Sequence, residues 1–347
     1  MGTHDHLRGG ALRPFFGTGS LRPALFRAAC AAAAITAASL AWARPAAAAE
    51  PTRLTVQLDW VLNAQYAGIL VAREMGYYSD AGLAVKVESI DPNVMDPIGP
   101  IVAQPGIVGF ADGFRLLTAR RDGKPVKAFA TTLQASPLGL FTLERSGITT
   151  VAQLAGKTIG VQSYDHRHLE VLLRFNGVDP ATVRMKDIGD DTTSLPSGLI
   201  DAQLGYLVDE RIALEQKGFR LNLMPGFANG FVCYSEVYFT RDDTFAANPK
   251  VLEAFLEATN RGWHEAFLHP SDTARLIVRR SMPAASVDYQ ERSLSVIQSF
   301  VTHESDQFGM MRHETWRQSA DLFHIDPAVT DALVDYSILN EVYGKLR

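Results

Sequence analysis

The sequence predicts an α/β fold in which mixed sheets are flanked by helices. Three observations carry this prediction. Segments with apolar side chains at every second position, as in strands with one buried face, alternate with segments whose apolar residues recur at helical spacing. Glycines follow several helical segments, where they can end a helix. The 347 residues exceed what one hydrophobic core usually holds, so two domains are expected.

The first strand–helix–strand unit is predicted within residues 53–90. Residues 53–58 alternate polar and apolar side chains, which predicts a strand. After a loop, apolar residues at helical spacing over 64–75 predict a helix that ends at Gly76. Residues 83–90 alternate again, so this segment is expected to begin a βαβ unit.

The same alternation continues along the chain to residue 240. Further strands are predicted at 106–110, 128–133, 138–143, 157–162, 200–204 and 232–240. Helices are predicted between them at 113–121, 150–154, 165–175 and 208–217. Beyond Pro249 the strand patterns disappear, and a helical stripe over 252–267 predicts an all-helical C-terminal region.

The first 49 residues have the layout of a secretory signal peptide. Arginines precede an apolar, alanine-rich run at 28–43, and A-x-A cleavage sites end at Ala43 and Ala49. The run is shorter than the ~20 residues of a membrane-spanning helix. Cys30 lies at its beginning, whereas a lipid-bearing cysteine would follow it. We therefore expect cleavage and export to the periplasm.

Composition narrows the classes of partner and chemistry. Without residues 1–49 the chain has 28 basic and 37 acidic residues, which argues against nucleic acid or an anionic membrane as the main partner. The sequence contains no glycine-rich phosphate loop, no HExxH and no CxxC motif. His166 and His168 would not face one another on a helix, so no metal site is expected.

Short motifs along the chain resemble the NMT1/THI5-like family. They are LDWVLN at 58–63, AREMGYY at 72–78, GKTIGV at 156–161, IDA at 200–202 and LNEVY at 339–343. Their order and spacing extend the resemblance over nearly all of residues 53–345. The family comprises periplasmic binding proteins for thiamine-pyrimidine precursors and related small solutes, together with fungal pyrimidine synthases.

The resemblance implies the type II periplasmic-binding-protein fold, with two lobes that close on a hinge around a small-molecule ligand. One lobe would be discontinuous, residues 51–138 plus 238–347, and the other would be 139–237. The resemblance also implies a monomer that delivers its solute to the membrane permease and ATPase of an ABC importer. A sensor that presents its solute to a receptor is the alternative role.

Candidate ligand contacts follow the predicted strands at their carboxyl ends, where α/β proteins bind ligands. Trp60 could stack on a flat heterocycle or belong to the core. Asn63 could bind ring nitrogens or cap a helix. Tyr66 lies on the following helical turn. Asp112 could accept hydrogen bonds from a ligand amine or cap the helix at 113–121.

Pro137 is a further candidate, because it lies at the start of the strand at 138–143, near the predicted crossing between the lobes. Ser163 and Tyr164 lie between a strand and a helix N-terminus, where free N–H groups favour an acceptor. Asp165 argues against an anionic ligand there, because it is expected to cap that helix itself.

The last candidates surround the second half of the predicted cleft. Tyr206 and Glu210 follow the strand at 200–204, and the carboxylate could bind the amino group of an aminopyrimidine or stay solvated on the first helical turn. Tyr234 and Glu236 share one face of the returning strand, which could be cleft or core.

The fungal synthases of the family make the pyrimidine from pyridoxal phosphate and a histidine of their own chain. In an ungapped alignment their cofactor-binding lysine corresponds to Ala111 and their donor histidine to Arg115. Alanine cannot form a Schiff base, and arginine supplies no imidazole. We therefore expect no catalytic residue, no cofactor and no enzyme activity, with a synthase-like enzyme as the alternative.

The expected ligand is a thiamine-type pyrimidine precursor, such as hydroxymethylpyrimidine or formylaminopyrimidine. Trp60, Tyr206 and Tyr234 favour a flat ring. No arginine pair occupies the predicted loops, which disfavours an oxyanion. Riboflavin, a sulfonate or another small solute are the alternatives.

Overall fold

The computed structural model describes residues 50–91, 94–189, 191–281 and 286–344. The segment at 1–49, for which the sequence predicts a signal peptide, lies outside the described residues. The fold described below is that of the chain from Glu50 onward.

The described chain forms two five-stranded sheets. Their strands, in chain order, are β1 (Thr52–Gln57), β2 (Leu83–Glu88), β3 (Ile107–Ala111), β4 (Val126–Leu133), β5 (Leu138–Leu143), β6 (Thr158–Val161), β7 (Arg184–Asp187), β8 (Ala202–Tyr206), β9 (Leu221–Pro225) and β10 (Ser235–Arg241). The first sheet has the order β2-β1-β3-β10-β4, and the second has the order β7-β6-β8-β5-β9.

Both sheets have the same arrangement of strand directions. Three neighbouring strands are parallel, and the next, β10 or β5, is antiparallel to both of its neighbours. Because β10 inserts between β3 and β4, the chain crosses between the sheets twice, after β4 and before β10. In each sheet the parallel strands therefore end at the same edge, and the loops that follow them lie there, as the sequence predicted.

Helices flank both sheets and fill the C-terminal region. They are α1 (Ala67–Glu74), α2 (Tyr77–Asp80), α3 (Gly99–Ala103), α4 (Gly113–Arg121), α5 (His166–Phe175), α6 (Glu210–Gln216), α7 (Asp242–Ala247), α8 (Pro249–Leu268), α9 (Pro270–Arg280), α10 (Val287–Val301), α11 (His313–Leu322), α12 (Pro327–Leu333) and α13 (Ser337–Tyr343). Among the described residues, no helix has the length and apolar character needed to cross a membrane.

Close packing of α1 on α8 fixes the segment that follows β1. The helices approach at Gly68 and Gly262, where a Cβ on Gly262 would lie 2.0 Å from the carbonyl oxygen of Gly68. No side chain larger than hydrogen fits at that distance, so both glycines are needed for this approach. The short 3₁₀ turn Ala64–Tyr66, which leads into α1, is thereby held against the core.

Candidate functional site

A cavity of about 340 Å³ lies at the carboxyl ends of strands from both sheets. Loops after β1 and β3 form one wall, and loops after β6 and β8 form the facing wall. The loops after β2 and β7, the helix α6 and the second residue of β10 also contribute to the lining. A cleft between two sheets at their strand ends is where α/β proteins bind small molecules.

The structure brings together seven of the eleven residues that the sequence analysis singled out. On the cavity wall lie Trp60, Tyr66, Asp112, Tyr164, Tyr206, Glu210 and Glu236. The lining residues do not include Asn63, Pro137, Ser163 or Tyr234, all of which are described. For the seven, contact with a ligand stays a prediction.

Two of the candidates, Asn63 and Asp112, cap helices, which is the alternative role that their sequence positions suggested. The Oδ1 atom of Asn63 accepts a hydrogen bond of 2.8 Å from the backbone N–H of Gln65, and the residue is buried away from the cavity wall. Asp112 accepts one of 2.9 Å from the N–H of Arg115 at the start of α4. Asp112 also lines the cavity, so it is both a cap and a wall residue.

The prediction that Tyr234 and Glu236 share one face of a strand is wrong. Glu236 has a φ of +54°, a left-handed conformation that interrupts the alternation of side chains. The hydroxyl of Tyr234 instead donates to Glu304 at 2.6 Å and accepts from the N–H of Arg312 at 2.7 Å. Tyr234 therefore anchors the C-terminal helical region, and Glu236 alone lines the cavity.

A buried pair of carboxyl groups occupies one wall of the cavity. The hydroxyl of Tyr66 donates to Asp59 at 2.7 Å, and the carboxyl group of Glu236 lies within hydrogen-bonding reach of Asp59. Burial and the charge of Asp59 raise the pKa of Glu236 well above its usual range, and burial also raises the pKa of Asp59. Burial and the mutual repulsion of the two carboxylates therefore both oppose the loss of the last proton from this pair.

Two acceptor atoms on the cavity wall have no hydrogen-bond partner in the described structure. They are Oε2 of Glu236 and Oε1 of Gln65. Both side chains are buried, at 3% and 5% exposure, respectively. Since nearly all buried polar atoms in folded proteins are paired, unpaired acceptors facing a cavity indicate where a ligand would donate.

An ionic network joins the two walls behind the cavity. Arg115 contacts Asp112 at 2.8 Å and Asp165 at 4.0 Å. The ring of His168 contacts Asp165 at 2.9 Å and Asp112 at 3.6 Å. Asp112 follows β3 of the first sheet, whereas Asp165 and His168 follow β6 of the second, so these ion pairs cross between the sheets.

The charges in this network shift each other's protonation. Burial alone would lower the pKa of His168, but its interactions with Asp112 and Asp165 outweigh burial and raise the pKa to about 9. Burial opposes ionisation of Asp112 as well, yet His168 and Arg115 lower its pKa to about 2. Asp165 makes no side-chain cap bond to α5, contrary to the prediction, because its carboxylate is turned to His168.

Tyr206 and Glu210 form a turn that closes the facing wall. The backbone N–H of Tyr206 donates to Oε2 of Glu210 at 2.8 Å. The hydroxyl of Tyr206 pairs with Ser235 at 3.2 Å, which connects the second sheet to the start of β10. Burial and the nearby charge of Asp209 raise the pKa of Glu210 to about 8, so this carboxyl is largely protonated at neutral pH.

The cavity lining is strongly acidic and rich in aromatic side chains. Among the described residues, it carries six carboxyl groups against a single guanidinium, that of Arg115, and its rings come from one tryptophan and three tyrosines. The carboxyl groups belong to Asp59, Asp112, Asp165, Asp209, Glu210 and Glu236. Within the described ranges, no three His, Cys, Asp or Glu side chains are grouped to hold a metal ion. Such a lining suits a flat molecule that donates hydrogen bonds.

Sequence reasoning missed Asp59, Arg115 and Asp165 as wall residues, whereas Gln65 was a candidate together with Tyr66. Asp59 directly follows the strand that the sequence predicted, so the strand-end rule that selected Trp60 could also have selected it. Gln65 lies on the same turn as Tyr66. Nothing in the local sequence indicates that Arg115 and Asp165 meet across two sheets.

Comparison with known proteins identifies similar chains. The family model described as "NMT1/THI5 like" matches residues 63–273. A 4-amino-5-hydroxymethyl-2-methylpyrimidine phosphate synthase of Legionella pneumophila is 25% identical over 69% of this chain and 77% of its own length. The riboflavin-binding protein RibY of Chloroflexus aurantiacus is 26% identical over 68% of this chain and 69% of its own. The formylaminopyrimidine-binding protein of Halalkalibacterium halodurans is 24% identical over 76% of this chain and 82% of its own length.

A solved structure has a similar fold. The periplasmic aliphatic sulphonate-binding protein SsuA of Escherichia coli superposes with a TM-score of 0.63, at 14% identity, over 79% of this chain and 87% of that one. At this identity the likeness shows the fold alone. It confirms the predicted two-lobed periplasmic-binding-protein architecture.

Proposed function

The chain belongs to the NMT1/THI5-like family, and from that premise we propose that it is an extracytoplasmic solute-binding protein for a small planar heterocycle. The observation that carries the proposal is the cavity between the two sheets, with aromatic rings and unpaired acceptors on its wall. A ring would be held by stacking and oriented by hydrogen bonds from its edge.

The proposed lobes are residues 51–138 plus 238–347 and residues 139–237, which close on the ligand at the two crossings. The distribution of the strands supports two lobes of this composition, because the chain crosses between the sheets after β4 and before β10, within a few residues of the proposed bounds. A monomer exported through its leader would then deliver the solute to an importer's permease and ATPase.

The proposed ligand is a thiamine-type pyrimidine precursor. The relative that binds formylaminopyrimidine supports this choice. The acidic lining also supports it, because six carboxyl groups and one arginine disfavour a sulfonate or another oxyanion. Riboflavin is the second candidate ligand, favoured by the relative that binds it.

We propose a binding role rather than synthase chemistry, although several relatives are pyrimidine phosphate synthases. Ala111 is fully buried at the end of β3 and has no amine to bind pyridoxal phosphate. Arg115 is held by Asp112 and carries no imidazole. We therefore expect that addition of pyridoxal phosphate produces no absorbance band of a Schiff base.

Calorimetry with four solutes tests the proposed function. We expect hydroxymethylpyrimidine or formylaminopyrimidine to bind more tightly than riboflavin, and taurine not to bind. The reason is that a donor-rich planar ring matches the lining, whereas taurine brings an anion to an acidic cavity. Binding of taurine alone would defeat the proposal, and binding of riboflavin alone would keep the function but replace the ligand.

A further inference from the structure

The two unpaired acceptors on the cavity wall require a specific partner. Oε2 of Glu236 and Oε1 of Gln65 are buried, belong to residues that line the cavity and lack a donor among the described residues. Leaving a buried acceptor unpaired is unfavourable, because the atom has lost its hydrogen bond to water without gaining another. A ligand that presents N–H groups to both atoms would recover that cost.

The backbone of Glu236 has a strained conformation at the cavity wall. A left-handed φ of +54° is an unfavourable backbone conformation for a residue other than glycine, and such strain concentrates at binding sites. The neighbouring residue Ser235 is held on both sides, by Thr131 bonding to its carbonyl at 2.8 Å and by Tyr206 pairing with its hydroxyl. These contacts fix the kink that turns the Glu236 side chain into the cavity.

The titratable groups that face Glu236 are acidic side chains and tyrosines, and no cation among the described residues pairs with Glu236 itself. The titratable groups that face it are Asp59 and Tyr66 from the segment after β1, Asp112 at the start of α4, and Tyr206 at the end of β8. The one cation on the wall, Arg115, is already paired with Asp112. A positive charge brought by the ligand would relieve the repulsion between Asp59 and Glu236.

Building on the proposed function, we propose that the cavity binds its ligand as a cation, a protonated cyclic amidine whose N–H groups donate to Glu236 and Gln65. An aminopyrimidine with one protonated ring nitrogen has this chemistry, because its exocyclic amine and its ring N–H share the positive charge. A carboxylate that accepts a hydrogen bond from either group forms a charge-assisted pair with the ring.

The proton balance follows from the state of the empty site. In this proposal the Asp59–Glu236 pair carries one proton before the ligand binds, in line with the raised pKa of both carboxyl groups. When a neutral aminopyrimidine enters, the proton moves from the carboxyl oxygen to the ring nitrogen, and no proton is exchanged with solvent. When a permanent cation such as benzamidinium enters, the same proton is released to solvent.

The first test uses the wild-type protein and the ultraviolet spectrum of hydroxymethylpyrimidine at a pH where the free ring is neutral. We expect the spectrum of the bound ring to match that of the free ring in acid. A bound ring with the neutral spectrum would overturn the inference and leave the proposed function standing.

The second test compares benzamidine with benzamide, which has nearly the same shape but no charge. We expect benzamidine to bind at least tenfold more tightly and to release a proton, seen by calorimetry in two buffers of different ionisation enthalpy. Equal binding of the two, or binding of neither, would overturn the inference. Binding of benzamidine without binding of any planar heterocycle would overturn the proposed function instead.

The third test removes the charge with Glu236→Gln. This variant should lose at least tenfold in affinity for benzamidine and should no longer release a proton. The matched control is Glu170→Gln on α5, whose carboxylate pairs with Arg167 on the surface away from the cavity. The control should bind like the wild type. If Glu236→Gln does not fold, the two tests on the wild-type protein still test the inference.

Discussion

Replacing Trp60 with alanine is expected to weaken binding of hydroxymethylpyrimidine by about 1–3 kcal/mol, a rise in Kd of roughly 5- to 150-fold. Trp60 lies half-buried on the cavity wall directly after β1, where one part of its ring packs on the core and the rest faces the cavity. The substitution removes the ring on which the ligand would stack and leaves the acceptor atoms of Glu236 and Gln65 in place. Calorimetry on wild type and variant measures the difference.

The control for this variant is Phe175→Ala. Phe175 is 62% exposed on α5 and lines a separate surface groove of about 830 Å³. Its loss should leave the affinity unchanged if the ligand binds in the cavity between the sheets. An unchanged affinity in Trp60→Ala, together with a loss in Phe175→Ala, would move the ligand to the surface groove.

Replacing His168 with glutamine is expected to destabilise the fold by up to about 3 kcal/mol at pH 6, and by much less at pH 10. The pKa of this histidine is about 9 in the folded protein, above the value of about 6.5 expected when the chain is unfolded. A raised pKa contributes stability that is complete below the unfolded value and is lost as pH rises through the folded value. The window is therefore about pH 6.5 to 9.

Denaturant unfolding of both proteins across that window tests this expectation. The matched control is His166→Gln, because His166 lies on the same helix but pairs with Asp187 at the surface. Exposed ion pairs contribute about 0–1 kcal/mol, so the control should differ little from wild type at any pH. A difference between wild type and His168→Gln that stays constant from pH 6 to pH 10 would mean that the histidine is not charged between its two carboxylates.

Hydrophobic patterning predicted most of the fold because most elements bury one face. The predicted strand at 138–143 and the predicted helix at 113–121 have the bounds of β5 and α4. The strands β7 and β9 were missed, and both are edge strands with a single neighbour. Residues Arg184–Asp187 of β7 are polar and only partly buried, so they carry no alternation to detect.

The candidate site was predictable only in part, because its chemistry depends on contacts between distant segments. The rule that ligands bind at strand ends selected Trp60, Asp112 and Tyr206, which all line the cavity. It could not place Asp59 beside Glu236, since that pair forms only when β10 returns to the first sheet. The left-handed backbone of Glu236 has no local signal either, because the residue is not a glycine.

The central claim is that a planar heterocycle binds in the cavity between the two sheets. A crystal structure of the protein grown with hydroxymethylpyrimidine tests it most directly. We expect density for the ring against Trp60, with the amino group of the ring within hydrogen-bonding distance of Glu236 or Gln65. Density for the ring in the surface groove beside Phe175, or an empty cavity at saturating ligand, would contradict it.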